Sequence, residues 1–279
     1  MTNFWQKLPK PFTVLAPMES VTDMAFREMV AVNLPKPDVF FTEFINADAI
    51  VHGALDKLKY SEKQRPIVAQ IWGTNLINLK KAAKIVQDLG FDGIDINMGC
   101  PDKDVVKTGG GAALIKNPEL AIKIIEAVKK GAPNLPISVK TRLGFNFELL
   151  LKSNLQAISI HGRTPKQLSK GKADWKQIGE VVKLSKGTII IGNGDVKSYA
   201  EVLEKHKTYG VNGVMIGRGI FKDPLVFDKN SHSLTKDQRI ELLEKHLELI
   251  KIHGGAINSF LKMYLNGFPG AKAQRILYN

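Results

Sequence analysis

The sequence predicts an α/β fold, a (β/α)8 TIM barrel followed by a small C-terminal helical domain. Three observations predict it. Eight short runs rich in apolar and β-branched residues recur over residues 12–219, most of them separated by segments of helical periodicity. Nearly every run ends in polar or glycine residues. Beyond Pro224 the strand pattern stops and helical spacing takes over. An open, doubly wound sheet is the alternative, but it seldom holds eight such units in 279 residues.

The eight runs are 12–18, 38–44, 66–73, 93–99, 136–144, 157–163, 188–195 and 213–219. Between them, 76–89 (LINLKKAAKIVQDL), 118–130 (PELAIKIIEAVKK) and 198–206 (SYAEVLEKH) place apolar residues three and four apart, as an outer helix packed on one face requires. The strand ends form a series. The first run ends Ala16-Pro17-Met18, the second Thr42-Glu43-Phe44, and the third contains Gln70. The fifth supplies Lys140 and Arg142, the sixth His161-Gly162-Arg163, the seventh Asn193-Gly194-Asp195 and the eighth Gly217-Arg218-Gly219. One polar strand end means little, but eight converging on one rim predict an active-site mouth. After the barrel, 234–252 has helical spacing (Ile240, Leu243, Leu247, Ile250), and 256–266 reads as a second helix ahead of a basic tail. The expected boundary divides a barrel domain, 1–228, from a helical domain, 229–279.

The fourth run carries the chemistry. Ile94 and Ile96 alternate with polar neighbours, and the strand ends at Asn97-Met98-Gly99-Cys100-Pro101, where proline forbids further ladder pairing. A thiol and a carboxamide therefore stand at a strand tip. Cys100 is the only cysteine. It reads either as a small inert core residue or as a nucleophile or proton donor, and its place between Gly and Pro past the strand end favours chemistry. A single cysteine excludes an internal disulfide and fits a reducing, cytoplasmic setting.

The loops after the seventh and eighth runs, where barrels commonly hold phosphate, are rich in glycine, and Arg218 adds a cation. No GxGxxG follows the first strand, so a Rossmann dinucleotide site is not expected. A cofactor with one phosphate fits better. FMN would set its phosphate at strands seven and eight, with Lys140 and Gln70 at the ring edge; alternatively, Lys140 simply pairs with Asp95. The six histidines show no ligand spacing, so no metal is expected. No run is long enough to span a membrane, and the N-terminal stretch from Met1 to Lys7 is not a signal peptide. The net charge of +13, from 40 basic and 27 acidic residues, is either a solvated lysine-rich surface or the footprint of a polyanion such as nucleic acid.

Taken together, Ala16-Pro17-Met18-Glu19-Ser20-Val21-Thr22-Asp23, Asn97-Met98-Gly99-Cys100-Pro101, Val139-Lys140-Thr141-Arg142, His161-Gly162-Arg163-Thr164, Ala173-Asp174-Trp175, Asn193-Gly194-Asp195 and Ile216-Gly217-Arg218 resemble the tRNA-dihydrouridine synthases, in order over nearly the whole chain. The resemblance implies an FMN enzyme that reduces the C5–C6 bond of selected tRNA uridines with NADPH or NADH, with tRNA as partner; a monomer is expected, though the sequence does not fix the oligomeric state. By position, Ala16, Pro17, Met18, Gln70, Lys140, His161, Asn193, Gly194, Asp195, Gly217 and Arg218 would hold FMN. Cys100 would donate the proton, and Asn97 and Arg142 would hold the base. The chain departs from the family pattern at Ser20, where glycine is usual, and at Ser169, where many members carry tyrosine. The connection 145–156 is also short for a helix and its turns. Two other readings stand beside this one: an FMN barrel acting on a small pyrimidine or enone, and a tRNA-binding protein whose cofactor site has decayed.

Overall fold

The computed structural model describes residues 3–230 and 232–277. Met1 and Thr2, in the N-terminal stretch, lie outside the described residues, as do Ser231, Tyr278 and Asn279. All eight strands are present: β1 (Phe12–Leu15), β2 (Phe40–Asn46), β3 (Ile67–Trp72), β4 (Gly93–Met98), β5 (Ile137–Arg142), β6 (Ala157–His161), β7 (Ile189–Asn193) and β8 (Gly213–Ile216). Every ladder is parallel, in the order β1-β8-β7-β6-β5-β4-β3-β2. The ring closes between β1 and β2 through the parallel Val14–Val39 bridge, with Leu15 N–H on Val39 carbonyl at 3.0 Å.

Alternation along the strands sorts side chains into two cores. Outward residues such as Ile94, Ile96, Val139, Ile158, Ile160, Ile190 and Val214 pack against the helices. Phe12, Val14, Phe41, Val68, Ile189 and Ile191 fill the lower interior. The short helix Phe4–Lys7 plugs the bottom with the fully buried Trp5 ring, 5.9 Å from Phe12 and 6.3 Å from Phe41. Gly213 is required here, because a Cβ would lie 2.3 Å from the Phe12 ring.

Three outer helices form where the periodicity placed them, Leu76–Asp88, Pro118–Gly131 and Tyr199–Tyr209, and a fourth covers Trp175–Leu184. Each is started by a side chain that accepts backbone N–H groups, namely Asn75, Asn117, Asp174 and Ser198. The short connection between β5 and β6 holds only one five-residue helix, Phe147–Leu151. Its buried anchor is Leu150.

The C-terminal annex contains the expected long helix, Lys236–His253, started by a capping box between Thr235 and Gln238. The second expected helix is corrected by the structure. Within 256–266 only Leu261–Tyr264 is helical, preceded by turns. Phe260, Leu261, Met263, Tyr264 and Leu265 are all buried. A one-sided helix cannot bury so nearly continuous a run, whereas successive tight turns can. The tail forms a further helix, Ala271–Leu277.

The annex docks on the barrel helix Met24–Asn33 through aromatic rings. Phe260 stacks on Phe26 at 4.7 Å and meets His246 edge-on at 4.7 Å. His246 is fully buried, its Nδ1 lies 3.0 Å from the Tyr264 hydroxyl, and its Nε2 has no partner among the described residues. Burial holds its pKa down at about 4, against 6.5 when free. The unfolded chain therefore takes up a proton that the folded protein refuses, and the associated stability, fully present above pH 6.5, is lost as pH falls toward 4. Thermal melts across this range should show a loss of about 3 kcal/mol at this site. The double variant His246→Phe, Tyr264→Phe should flatten that part of the slope. Identical slopes in parent and variant would show that His246 is not the titrating group.

Candidate active site

Strand ends β1 and β5–β8 surround a cavity of about 440 Å³. Its apolar side is Ala16, Pro17, Met18, Met215 and Ile216. Its polar side carries six cations, Lys140, Arg142, Arg163, Lys197, Arg218 and Lys222, against the single carboxylate Asp195. Asp195 is already committed: Arg163 Nη2 donates to both its oxygens at 2.7 Å, and Ala173 N–H donates to Oδ2 at 2.7 Å. Burial raises the Asp195 pKa, but the bonds from Arg163 and Ala173 outweigh it and hold the carboxyl below its ordinary value. The cavity is thus an anion site with an apolar shelf.

The turn after β7 is built for close approach. Gly194 has φ +133°, and a Cβ there would lie 2.6 Å from Ala173 Cβ. Trp175 Nε1 donates to Gly194 carbonyl at 3.0 Å. Asn193 donates to Met215 carbonyl at 2.8 Å and turns its Oδ1 toward Lys140 Nζ at 3.5 Å. Lys140 makes no ion pair with Asp95 among the described residues. Burial, then the neighbouring Arg142, pushes its pKa down to about 8. His161 is held near 2 by burial and by Lys140, Arg142 and Arg163, so it is neutral. Arg163 Nη1 lies 3.3 Å from its Nε2. A guanidinium can only donate, so the ring proton sits on Nδ1.

Cys100 lines a second, more apolar cleft of about 790 Å³, together with Phe44, Ala49, Trp72 and Val105. Arg142 lines the first cavity and donates Nε–H to the carbonyl of Gly99, the neighbour of Cys100, at 2.8 Å. Asn97 sets the cysteine turn, its Oδ1 accepting N–H from Gly99 at 3.1 Å and from Cys100 at 2.9 Å. Ala112 N–H holds the Cys100 carbonyl at 2.8 Å. Gly111, at φ +53°, lets that loop close, since a Cβ would sit 2.6 Å from the same carbonyl. Burial pushes the Cys100 thiol pKa up.

Of the residues expected from sequence, Ala16, Pro17, Met18, Lys140, Arg142, His161, Asn193, Gly194, Asp195, Gly217 and Arg218 all meet on the first cavity. Cys100 stands at the edge of the second. Gln70 and Asn97 line neither. Gln70 is fully buried, donating to Asp95 and accepting from Asn97. Arg163, Lys197, Met215 and Lys222 line the cavity without having been singled out. Arg163 stood within the His-Gly-Arg-Thr motif, which was the available signal; its role depends on a partner 32 residues away.

The sequence profile of the dihydrouridine synthase (Dus) family matches residues 14–273. The chain belongs to that family. A probable tRNA-dihydrouridine synthase 2 of Bacillus subtilis (strain 168) is 40% identical over 297 residues, covering 98% of this chain and 90% of its own length. A probable tRNA-dihydrouridine synthase of Staphylococcus aureus (strain COL) is 39% identical over 298, with the same coverage. Among solved structures, morphinone reductase superposes with a TM-score of 0.57 at 11% identity, over 81% of this chain and 87% of that one. A variant of NCR from Zymomonas mobilis gives 0.53 at 14%, over 81% and 92%. At such identities the structural likeness shows the barrel fold alone.

Ser20 has φ +56°, the left-handed region that favours glycine, and its N–H is held by Glu43 Oε1 at 2.7 Å. Ser20→Gly should raise stability by about 1 kcal/mol, the usual steric cost of a side chain in that region. Chemical denaturation measures it, and an unchanged midpoint would show that the serine side chain offsets the strain.

Proposed function

We propose that this member of the family reduces the C5–C6 double bond of uridine in tRNA, using FMN in the cationic cavity and NADPH or NADH as reductant. The observation that carries the reading is the meeting of an anion-binding, apolar-shelved cavity with a lone thiol on the adjoining strand tip. The donor set suits a flavin phosphate ester. Arg218 and the glycine turns at 194 and 217 would hold the phosphate, Lys140 and His161 the ring edge, and Ala16, Pro17 and Met18 its apolar face. Bound there, FMN would supply hydride to C6 of the uracil.

The chain's own part is positioning and proton transfer. Cys100 gives its proton to C5, and its raised pKa keeps the thiol protonated at neutral pH, as a donor requires. Arg142 commits Nε to Gly99 and Nη1 to Leu168 carbonyl at 2.9 Å. Its Nη2 has no partner among the described residues and is the group left to hold a uracil carbonyl. Asn97, only 6% exposed, acts on the base chiefly by placing Cys100. The uridine must leave its stack to enter, at a cost of a few kcal/mol, and the +13 surface offsets this through phosphate contacts. The annex, with Lys262, Lys272 and Arg275, flanks the RNA in this reading. No helix among the described residues is long and apolar enough to cross a membrane, and a cytoplasmic site of action fits a tRNA substrate.

Purified protein should be yellow, and tRNA should reoxidise its NADPH-reduced flavin. Cys100→Ala should keep the colour and the tRNA affinity but slow tRNA reduction by roughly 10²- to 10⁴-fold, the range for loss of a positioned proton donor. Parent-level turnover in that variant would remove Cys100 from the mechanism. Turnover of free uracil with no response to tRNA would replace the substrate assignment.

A further inference from the structure

Beneath the site lies a buried group with no part in the scheme above. Asp95 is fully buried inside the barrel, between β3 and β5. Its Oδ1 accepts from Ser138 Oγ at 2.6 Å, and its Oδ2 accepts from Gln70 Nε2 at 2.7 Å. Gln70 Oε1 accepts from Asn97 Nδ2 at 2.9 Å, and Asn97 Oδ1 receives the N–H groups of Gly99 and Cys100. We propose that Asp95 is a positioning residue for Cys100, acting through a polarity relay that runs Asp95–Gln70–Asn97–Cys100.

The logic is that of donors and acceptors. A carboxylate offers only acceptors, so Gln70 must turn its NH2 toward Asp95. Its carbonyl then faces Asn97, which must answer with its own NH2. The only arrangement left points the Asn97 carbonyl at the Cys100 turn, where two backbone N–H groups need an acceptor. A side-chain amide can be reversed at little cost, and a charge at the base of the chain forbids the reversal at both links. Burial raises the Asp95 pKa to about 6, and the bonds from Ser138 and Gln70, with Lys140 nearby, limit the rise, so the group is mostly ionised at neutral pH. Lys140 on β5 is the cation facing it.

An isosteric change tests the relay. Asp95→Asn replaces an acceptor-only group with one that can present either a carbonyl or an NH2 to Gln70. The Ser138 hydroxyl can donate or accept, so it does not choose between them. The amides then populate both orientations, and in one of them Asn97 points NH2 at two N–H donors, expelling the Cys100 turn. The double variant Asp95→Asn, Gln70→Glu restores a single arrangement. Position 70 now offers only acceptors, so the amide introduced at position 95 must donate to it, and so must Asn97.

Because Cys100 is the only cysteine, its alkylation by iodoacetamide, followed by intact mass, reads the turn directly. In the full-length protein without tRNA, Asp95→Asn should alkylate faster than the parent by roughly fivefold or more, as loosened local structure does. The double variant should return to within about twofold of the parent, a recovery that mere loss of core stability would not produce. If Asp95→Asn does not fold, Gln70→Met cuts the relay at its middle link and should speed alkylation alike. Parent-like alkylation in the folded single variants, or a double variant as fast as Asp95→Asn, would overturn the relay. The inference rests on Cys100 being the proton donor, and the two claims separate. If alkylation responds while kcat for tRNA reduction does not, the relay stands and the donor role falls. If kcat drops with KM unchanged and recovers in the double variant, both stand.

Discussion

Closure of eight parallel strands is the constraint on which the rest of this structure depends. Once the Val14–Val39 bridge joins β1 to β2, every strand's C-terminal end lies on one rim and every second side chain points inward. Residues scattered over two hundred positions of sequence are thereby brought to a single mouth. The plug at the opposite end, built from Trp5 and Phe12, fills the lower interior with apolar side chains and leaves the upper interior for polar ones.

That upper layer is costly. Asp95, Gln70, Ser138 and Asn97 are all buried, and buried polar groups are tolerated only when paired. Here they pair chiefly with one another, across β3, β4 and β5, which ties the strand register to the conformation of the Cys100 turn. A slip of one residue in either ladder would send these side chains to the outer, apolar face. The site's geometry and the barrel's register are therefore coupled through the same hydrogen bonds.

Cations dominate the mouth, yet Arg163 and Asp195 show that their placement is specific. The buried guanidinium clamps the strand-seven turn from the end of strand six, closes on Gly171 carbonyl at 2.6 Å, and adds its charge to the burial, Lys140 and Arg142 that keep His161 neutral. Arg142 does the corresponding work between β5 and the cysteine turn. Each of these two arginines thus ties two loops together. In this family the matched B. subtilis relative aligns over 297 residues, more than this chain's 279, so it carries residues this chain lacks. The connection between β5 and β6 holds one five-residue helix, and Arg142 and His161 line the mouth at the strand ends beside it.

What the sequence determined by itself was whatever depends on neighbours along the chain. The strand and outer-helix periodicities, the caps, the glycine turns and the Asn97–Cys100 motif are governed by steric and hydrogen-bonding rules that act over a few residues. So is the left-handed turn the structure finds at Ser20, a position flagged only by departure from a glycine pattern. Tertiary structure alone decided the partners. Gln70, expected at a cofactor edge, hydrogen-bonds Asp95 and Asn97 inside the barrel. Lys140 turned to Asn193 rather than Asp95, and Arg163 found Asp195. The run 256–266 gave up most of its helix to bury Phe260 against Phe26. These contacts join residues far apart in sequence, and their free energy depends on strand register and on which face another element covers, quantities that no local window contains.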